Sequence, residues 1–305
     1  MSDFSRRILF GGAAAGLASA AVAVPGVAAA AEGETRRFTM YAEKISDELY
    51  GYGLAPGAAT VPGPVLEMWE GDTLEIDLVN TTDRVLSLHP HGVDYDVDSD
   101  GTLMNGSAVM PGQTRRYVWK SHTAYQRADG SWAEGTAGYW HYHDHAMGTE
   151  HGTEGILKGL YGALVVRRAG DLLPKRQFTV VFNDMLINNR AAHDAPMFEA
   201  NLGERVEWIA IGHGSNFHTF HLHGHRWLDN RTGMRTSEYD NSPVIDIKDL
   251  NPGVSFGFQV IAGEGVGAGM WMYHCHVQSH SDMGMAGMFL VRNADGTMPA
   301  GAHEH

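Results

Sequence analysis

The sequence contains a single cysteine, Cys275, in the stretch MWMYHCHVQSHSDMGM, with a histidine on each side of it. A lone cysteine cannot form an intramolecular disulfide, so it needs another explanation. His280 and Met285 follow it in the pattern C-x4-H-x4-M. Two histidines, one thiolate and a weak axial methionine are the ligands of a blue-copper electron-transfer centre. His218, in the motif HTFHLHG, is the natural second histidine of such a set.

Eight further histidines occur as four H-x-H pairs. These are His89/His91, His143/His145, His221/His223 and His274/His276. Residues i and i+2 of a β-strand face the same side, so each pair can present two imidazoles to metal ions. Cys275 points away from its two neighbours and therefore belongs to a separate site. Imidazoles without clustered carboxylates suit copper or zinc, and the single thiol disfavours a structural zinc site.

The chain is duplicated. EGDTLEIDLVN, HPHG, PGQTRRYVW, GYWHYHDH and GLYGALVVRR recur in the same order as LGERVEWIAIG, HLHG, PGVSFGFQV, GMWMYHCH and GMAGMFLVRN. Short β-type runs separated by Gly, Pro, Asn and Asp clusters predict an all-β fold. We therefore predict two β-domains, at residues 37–168 and 175–293. Asp144 occupies the position of Cys275 in the first copy, and His141 aligns with Met272, which makes His141 a supporting or structural residue.

The net charge and the N-terminal sequence indicate which partners the protein has and where it acts. The 305 residues carry a net charge of −14, which disfavours nucleic acid and anionic membranes as partners. Arg6 and Arg7 precede an Ala/Gly-rich run with small residues near its end, which predicts a twin-arginine signal peptide at residues 1–31. We therefore predict that the protein is secreted and that it is exported in the folded state. Residues 294–305 are predicted to form a flexible tail.

HPHG, YWHYHDH, HTFHLHGH and HCHVQSHSDMGM resemble the four copper motifs of multicopper oxidases. With two domains and the cysteine in the second, the chain is most similar to bacterial two-domain small laccases. The resemblance implies two cupredoxin-like Greek-key β-sandwich or barrel domains. It also implies oxidation of phenols or aromatic amines, one electron at a time, with four-electron reduction of dioxygen to water. The expected assembly is a homotrimer with trinuclear copper clusters at subunit interfaces.

The resemblance further implies four coppers per subunit. The type 1 copper would be held by His218, Cys275, His280 and Met285, the type 2 copper by His89 and His221, and the type 3 pair by His91, His143, His145, His223, His274 and His276. Met283 and Met288 also neighbour the first of these sites, but their spacing is less favourable. Asp100 becomes a candidate proton donor and Tyr95 a redox-active neighbour, although both have equally good readings as loop or turn residues. His225 is interpreted as supporting or structural, and His122, His151, His193 and His213 as structural.

Other functions are less compatible with the pattern. A metallo-oxidase for cuprous or manganous ions predicts a Met-rich or acidic insertion, of which Met283, Met285 and Met288 give only a faint sign. A copper-binding electron carrier needs the Cys275 set alone and leaves eight paired histidines unexplained. A two-domain copper nitrite reductase carries its blue copper in the first domain, whereas Cys275 lies in the second.

Overall fold

The structure is a computed structural model that describes residues 33–301. The predicted signal peptide and residues 302–305 of the predicted tail lie outside the described residues. Within the described residues, the regular structure is almost entirely β, with one short α-helix in each domain. Within residues 33–301, no helix has the length and apolar character needed to cross a membrane.

The first half of the chain folds into two four-stranded sheets and a small hairpin. Its strands are β1 (Thr35–Lys44), β2 (Tyr50–Gly53), β3 (Gly63–Trp69), β4 (Thr73–Asn80), β5 (His89–Pro90), β6 (Thr114–Lys120), β7 (Tyr125–Gln126), β8 (Trp132–Ala133), β9 (Gly138–His143) and β10 (Tyr161–Arg167). The sheets have the orders β2-β1-β4-β6 and β3-β10-β9-β5, and β7 pairs with β8. A 3-10 turn, Val97–Ser99, and helix α1, Thr153–Leu157, lie in connecting loops.

The second half repeats this plan. Its strands are β11 (Arg176–Asn183), β12 (Leu186–Ile187), β13 (Met197–Asn201), β14 (Arg205–His213), β15 (Thr219–Leu222), β16 (Trp227–Leu228), β17 (Val244–Ile245), β18 (Ile247–Asp249), β19 (Ser255–Ile261), β20 (Gly269–Cys275) and β21 (Ala286–Arg292). The sheets have the orders β12-β11-β14-β19 and β13-β21-β20-β15-β18, and β16 pairs with β17. A 3-10 turn, Ala192–Asp194, precedes β13, and helix α2, Gln278–Asp282, follows β20.

The two halves share their pattern of strand pairing. In the first, β1 runs parallel to β4 and β4 antiparallel to β6; in the second, β11, β14 and β19 pair in the same way. The second sheets match too, because β10 pairs with β3 and β9 as β21 pairs with β13 and β20. Side chains of β4 alternate between buried and half-buried, as expected for a sheet covered on one face. This confirms the prediction of an all-β fold with two cupredoxin-like domains.

The domains are joined by an apolar layer and a buried ionic cluster. The apolar layer combines Val65, Tyr161 and Val165 of the first domain with Ile209 and Ile211 of the second. Beside it, the Arg167 guanidinium from β10 donates to both carboxylate oxygens of Glu207 on β14, at 2.8 and 2.7 Å. The Tyr139 hydroxyl, Gln177 and Gln259 donate to the same carboxylate. A buried charge with this many partners fixes how one domain sits on the other.

Candidate metal centre

The thiol of Cys275 lies at the centre of a compact set of three donors. Cys275 ends β20, is fully buried, and is the free cysteine of the chain. Its Sγ lies 3.5 Å from Nδ1 of His218 and 3.6 Å from Nδ1 of His280, and the two nitrogens are 3.3 Å apart. Three ligands in a plane around one ion, each at about 2.1 Å, would stand about 3.6 Å from one another. The spacing therefore fits one trigonally bound metal ion.

The loop after Cys275 returns the chain to the thiol within ten residues. Helix α2 carries His280, the Met285 N–H donates to the His280 carbonyl at 3.0 Å, and the Cys275 N–H donates to the Met285 carbonyl at 3.0 Å. Met285 is buried in the same core cluster as Cys275. Met283 is 61% exposed, and the half-buried Met288 lies further along, in β21. The backbone hydrogen bonds and the burial favour Met285 over Met283 and Met288 as the methionine of this donor set.

Burial and the adjacent His280 lower the pKa of His218 to about 4. A neutral His218 has a lone pair to offer on the nitrogen that faces the thiol. Two imidazoles and a thiol without a carboxylate form a soft donor set, and this His2Cys arrangement suits copper.

The paired histidines of the first domain converge at one end of its second sheet. His89 lies opposite His143 where β5 pairs with β9. Nε2 of His91 lies 3.1 Å from Nε2 of His143. The His89 ring centre lies 5.3 Å from that of His91 and 5.1 Å from that of His145. The Nε2 atoms of His91 and His143 thus face each other, with the rings of His89 and His145 close by.

The second domain repeats this arrangement. His221 lies opposite His274 where β15 pairs with β20, and Nε2 of His223 lies 3.2 Å from Nε2 of His274. The His276 ring centre is 5.3 Å from that of His274 and 5.5 Å from that of His221. Each domain therefore supplies one cluster of four imidazoles, which we call a half-site: His89, His91, His143 and His145 in the first domain, and His221, His223, His274 and His276 in the second.

Backbone carbonyls set the tautomer of five of these eight histidines. Nδ1 of His89, His143 and His145 lies 2.6, 2.7 and 2.9 Å from the carbonyl oxygens of Asp100, Asp144 and Glu150. Nδ1 of His221 and His274 lies 2.7 and 2.8 Å from the carbonyls of Asp246 and Cys275. A carbonyl can only accept, so each Nδ1 donates and each Nε2 keeps a free lone pair. Metal-binding histidines are usually oriented in this way, and both half-sites fit copper ions.

A glycine under a tryptophan shapes each H-x-H-G motif. Gly92 and Gly224 have φ angles of +73° and +71°, which ordinary residues adopt at a cost. A Cβ on Gly92 would lie 1.9 Å from Trp140, and one on Gly224 would lie 2.8 Å from Trp271. The indoles thus press directly on the turn that follows each histidine pair and hold it in place.

The half-sites differ in their exposure to solvent. His143 is buried and His89 half-buried in the first, whereas His276 is exposed in the second. Burial lowers the pKa of His91 to about 4 and that of His143 well below its ordinary value. His91 and His143 of the first half-site are therefore neutral at neutral pH, and the second half-site is open on one side, at the exposed His276.

Asp144 stands where Cys275 stands in the sister domain, and its carboxylate is fully engaged. It accepts from the backbone N–H groups of Ser87, Ala146 and Met147, at 2.6, 3.2 and 2.7 Å. Burial raises its pKa to about 7. With every strong contact made to backbone, Asp144 supports the loop between His143 and His145 and offers no open metal site.

Asp100 and Tyr95 lie beside the first half-site. The Tyr95 ring centre is 5.7 Å from that of His89, and a carboxylate oxygen of Asp100 is 3.5 Å from Nδ1 of His89. Thr102 and Asn105 donate to the other carboxylate oxygen, both at 2.7 Å. Asp100 thus lies beside the half-site and in a bend, whereas Tyr95 lies beside it in an irregular segment.

His213 is close to the first half-site although it belongs to the second domain. Its ring centre lies 5.1 Å from that of His141 and 5.6 Å from that of His143. No sequence pattern predicts this contact, because it arises from the packing of β14 against the first domain. His141 stacks on His91 with ring centres 3.9 Å apart. His225 uses both nitrogens, on the His223 carbonyl and the Gly263 N–H, which fits its supporting role.

The fold and the donor sets together define a two-domain cupredoxin whose clusters fit copper. Two family models described as "Multicopper oxidase" match residues 58–171 and 171–295. The chain belongs to the multicopper oxidase family.

Individual relatives differ in their named activities. The chain is 32% identical to a probable nitrite reductase-hydroxylamine oxidoreductase fusion protein of Kuenenia stuttgartiensis, over 80% of this chain and 29% of that one. It is 27% identical to the mouse (Mus musculus) ferroxidase HEPHL1, over 78% and 23%. The chain thus spans less than a third of these curated relatives. The solved blue copper oxidase from Nitrosomonas europaea is 21% identical, covers 86% of both chains and superposes with a TM-score of 0.62, which shows the shared fold.

Proposed function

We propose that the protein is a laccase-type multicopper oxidase that couples one-electron oxidation of phenols and aromatic amines to four-electron reduction of dioxygen to water. The observation that carries the proposal is the position of Cys275 between His274 and His276. One strand end thus connects the buried His2Cys set with the second half-site. Copper at the Cys275 set would exchange single electrons, and copper at the histidine pairs would reduce dioxygen.

The chain provides two short connections between these sites. The covalent one runs from the Cys275 side chain through the backbone to His274 and His276. The other is a hydrogen bond, because Nδ1 of His274 donates to the Cys275 carbonyl at 2.8 Å. The Ser281 hydroxyl donates to the same carbonyl and lies 3.2 Å from Nδ1 of His274. Ser281 thus contacts both the Cys275 carbonyl and the His274 ring and fixes their relative position.

The surface beside His280 suits an aromatic reductant. Phe217 is 61% exposed, and its ring centre lies 6.2 Å from that of His280. His280 is half-buried, whereas its companions His218 and Cys275 are fully buried. A phenol that stacks on Phe217 would contact the one imidazole of the set that reaches solvent.

We assign the ligands as the resemblance implies. The type 1 set is His218, Cys275, His280 and Met285, the type 2 pair His89 and His221, and the type 3 set His91, His143, His145, His223, His274 and His276. Four coppers per chain follow. Asp100 would hold a proton beside His89, and Tyr95 lies where a redox-active side chain would act.

The separate half-sites support a homotrimer. Each cluster of imidazoles is built within one domain, and the second is open on one side. We propose that the first domain of one subunit covers the second domain of the next, a head-to-tail contact that closes into a ring. Export of the folded protein by the twin-arginine route is a further part of the proposal and rests on the N-terminal sequence.

The proposal is tested with the copper-loaded protein and Cys275→Ser. We expect the wild type to be blue, to hold four coppers per chain and to consume dioxygen with a phenol. The variant should be colourless, because no thiolate remains to bind the electron-accepting copper. Its rate of phenol oxidation should fall at least about 10³-fold. Copper at the histidine half-sites should persist. His122→Gln, outside both half-sites, is the matched control and should behave as the wild type.

A ferroxidase is the second candidate, because ferroxidases are among the relatives. Rates with ferrous ion and with a phenol, measured on the same preparation, decide between the two. A preparation that prefers ferrous ion, or that forms nitric oxide from nitrite, would overturn the laccase assignment.

A further inference from the structure

Three methionines lie side by side on three neighbouring strands of the second domain. Met197 of β13 is the register partner of Met288 of β21. Met288 is in turn the register partner of Met272 of β20. The three are 75 and 16 residues apart in sequence, so their alignment is a product of the sheet. We call them the methionine row.

The methionine row faces away from the core. Their strand neighbours Phe198, Phe289 and Tyr273 all pack in the core cluster of the second domain. Successive side chains of a strand point to opposite faces, so the methionines lie on the outer face. Met197 is 41% exposed and Met272 38% exposed, and Met288 between them is half-buried. Core packing, the usual role of methionine, does not explain this placement.

Thioethers in this arrangement suit a soft monovalent cation. Thioether sulfur selects Cu(I) over hard ions such as Mg²⁺ or Ca²⁺. Neighbouring strands lie about 4.8 Å apart, and three rotatable bonds per methionine allow the sulfurs to converge on one ion. Glu199, two residues along β13, pairs with Arg292 at 2.9 Å and leaves the row to the thioethers. The net charge of −14 also raises the local concentration of cations.

The methionine row leads directly to the second half-site. Met272 and His274 are two residues apart in β20 and face the same side, which places their Cα atoms about 7 Å apart. Ala286, the register partner of His274, carries only a methyl group. The outer face therefore passes from thioethers to imidazoles without a bulky side chain at that position.

We propose that Met197, Met272 and Met288 form a docking site for a cuprous ion and pass it to the histidines of the second half-site. The transfer is a ligand exchange: dative bonds from thioether sulfur break, bonds from imidazole nitrogen form, and the ion stays Cu(I). The docking step stands on the row alone, whereas the transfer step rests on the proposed copper-binding role of the second half-site.

Docking is tested with Ag⁺, a redox-inert probe for Cu(I), on the copper-free full-length protein labelled with ¹³C at the methionine methyl groups. Single Met→Leu variants assign the resonances. We expect the methyl signals of the row to shift together within the first equivalents of Ag⁺. Met104 and Met110, exposed in the first domain, are the internal controls and should not shift. If the row shifts only together with these controls, or not at all, no docking site exists.

Transfer is tested by the rate of copper loading. Copper-free wild type and Met197→Leu/Met272→Leu/Met288→Leu are given limiting Cu(I) held by a chelator, and protein-bound copper is followed after rapid desalting. We expect the triple variant to load several-fold more slowly and to reach the same final content when copper is in excess. Met104→Leu/Met110→Leu should load like the wild type. Equal rates for the wild type and the triple variant would overturn transfer, whereas a wild type that binds no copper at its histidines would instead overturn the proposed function.

Discussion

The two domains build the same cluster of histidines and differ at the residue between the last pair. The first domain has Asp144 there, bound by three backbone N–H groups, and the second has Cys275, facing two imidazoles. Both positions are buried; Cys275 is the last residue of β20, and Asp144 directly follows β9, the equivalent strand of the first domain. Similar supports surround them, since the N–H of His145 donates to Ser87 as that of His276 donates to Thr219.

The difference shows what each copy retained after duplication. Leu86 and Thr149 stand in the first domain where His218 and His280 stand in the second, so Asp144 has no partner donors at those positions. Its carboxylate instead accepts hydrogen bonds from the backbone N–H groups of the surrounding loops. The histidine pairs need only strand geometry, and both domains keep them. The thiolate set needs a loop of its own, and only the second domain has it.

Cys275→Asp makes the second domain resemble the first and should have the largest effect. The carboxylate replaces the soft ligand, so the blue colour should vanish and phenol oxidation fall by at least about 10³-fold. Absorbance and dioxygen consumption measure the two effects. Asp144→Cys, the reciprocal change, should gain no blue colour, because Leu86 and Thr149 supply no imidazole. A blue Asp144→Cys protein would contradict this account of the two domains.

Gly92→Ala and Gly224→Ala compare the turns beneath the two half-sites. Both alanines adopt a positive φ, at about 1–2 kcal/mol each. The Gly92 variant also collides with Trp140 at 1.9 Å, against 2.8 Å from Trp271 at Gly224. Overpacking of this kind adds about 1–3 kcal/mol. Chemical denaturation should therefore show a larger loss of unfolding free energy for Gly92→Ala than for Gly224→Ala. Equal losses would show that the Trp140 side chain moves away from the added methyl group at no cost.

Asp144→Asn should have the smallest effect. The effect is on the unfolding free energy, and it depends on pH. Burial raises the pKa of Asp144 to about 7, above its ordinary value of 3.8. The folded state then holds the proton more tightly than the unfolded state, so this group's contribution to stability is full below about pH 4 and is lost as pH rises to about 7. Asparagine does not titrate. The copper-free variant should thus lose more unfolding free energy, relative to wild type, at pH 5 than at pH 8.

The other titratable groups are the same in the wild type and the variant, so their contributions cancel in the comparison. The quantity to measure is therefore the difference between the two curves of unfolding free energy against pH. A constant difference across this range would show that the three backbone N–H groups outweigh burial and keep Asp144 ionised.

Local patterns predicted the β-fold, the duplication and the histidine clusters, because i and i+2 share a face of any strand. The convergence of His218 on Cys275 also followed from ligand chemistry, although 57 residues separate them. The contact of His213 with His141 could not be predicted in this way. It depends on how one domain packs on the other, and no short-range periodicity encodes that angle.

Met288 shows the same limit. Its closeness in sequence to Cys275 suggested a neighbour of the thiol, but β21 turns it to the outer face beside Met197 and Met272. A parallel pairing between strands some 90 residues apart sets that register, and the sequence of either strand alone does not.

The buried cluster of Arg167 and Glu207 has a consequence for how such chains are inherited. Glu207 comes from the second domain and is fully buried, and its guanidinium partner comes from the first. A gene fragment that encoded the second domain alone would leave Glu207 without its counterion, and either domain alone would expose the apolar layer beside it. The heritable module is therefore the pair of domains, and a larger protein that borrows this architecture must copy both together.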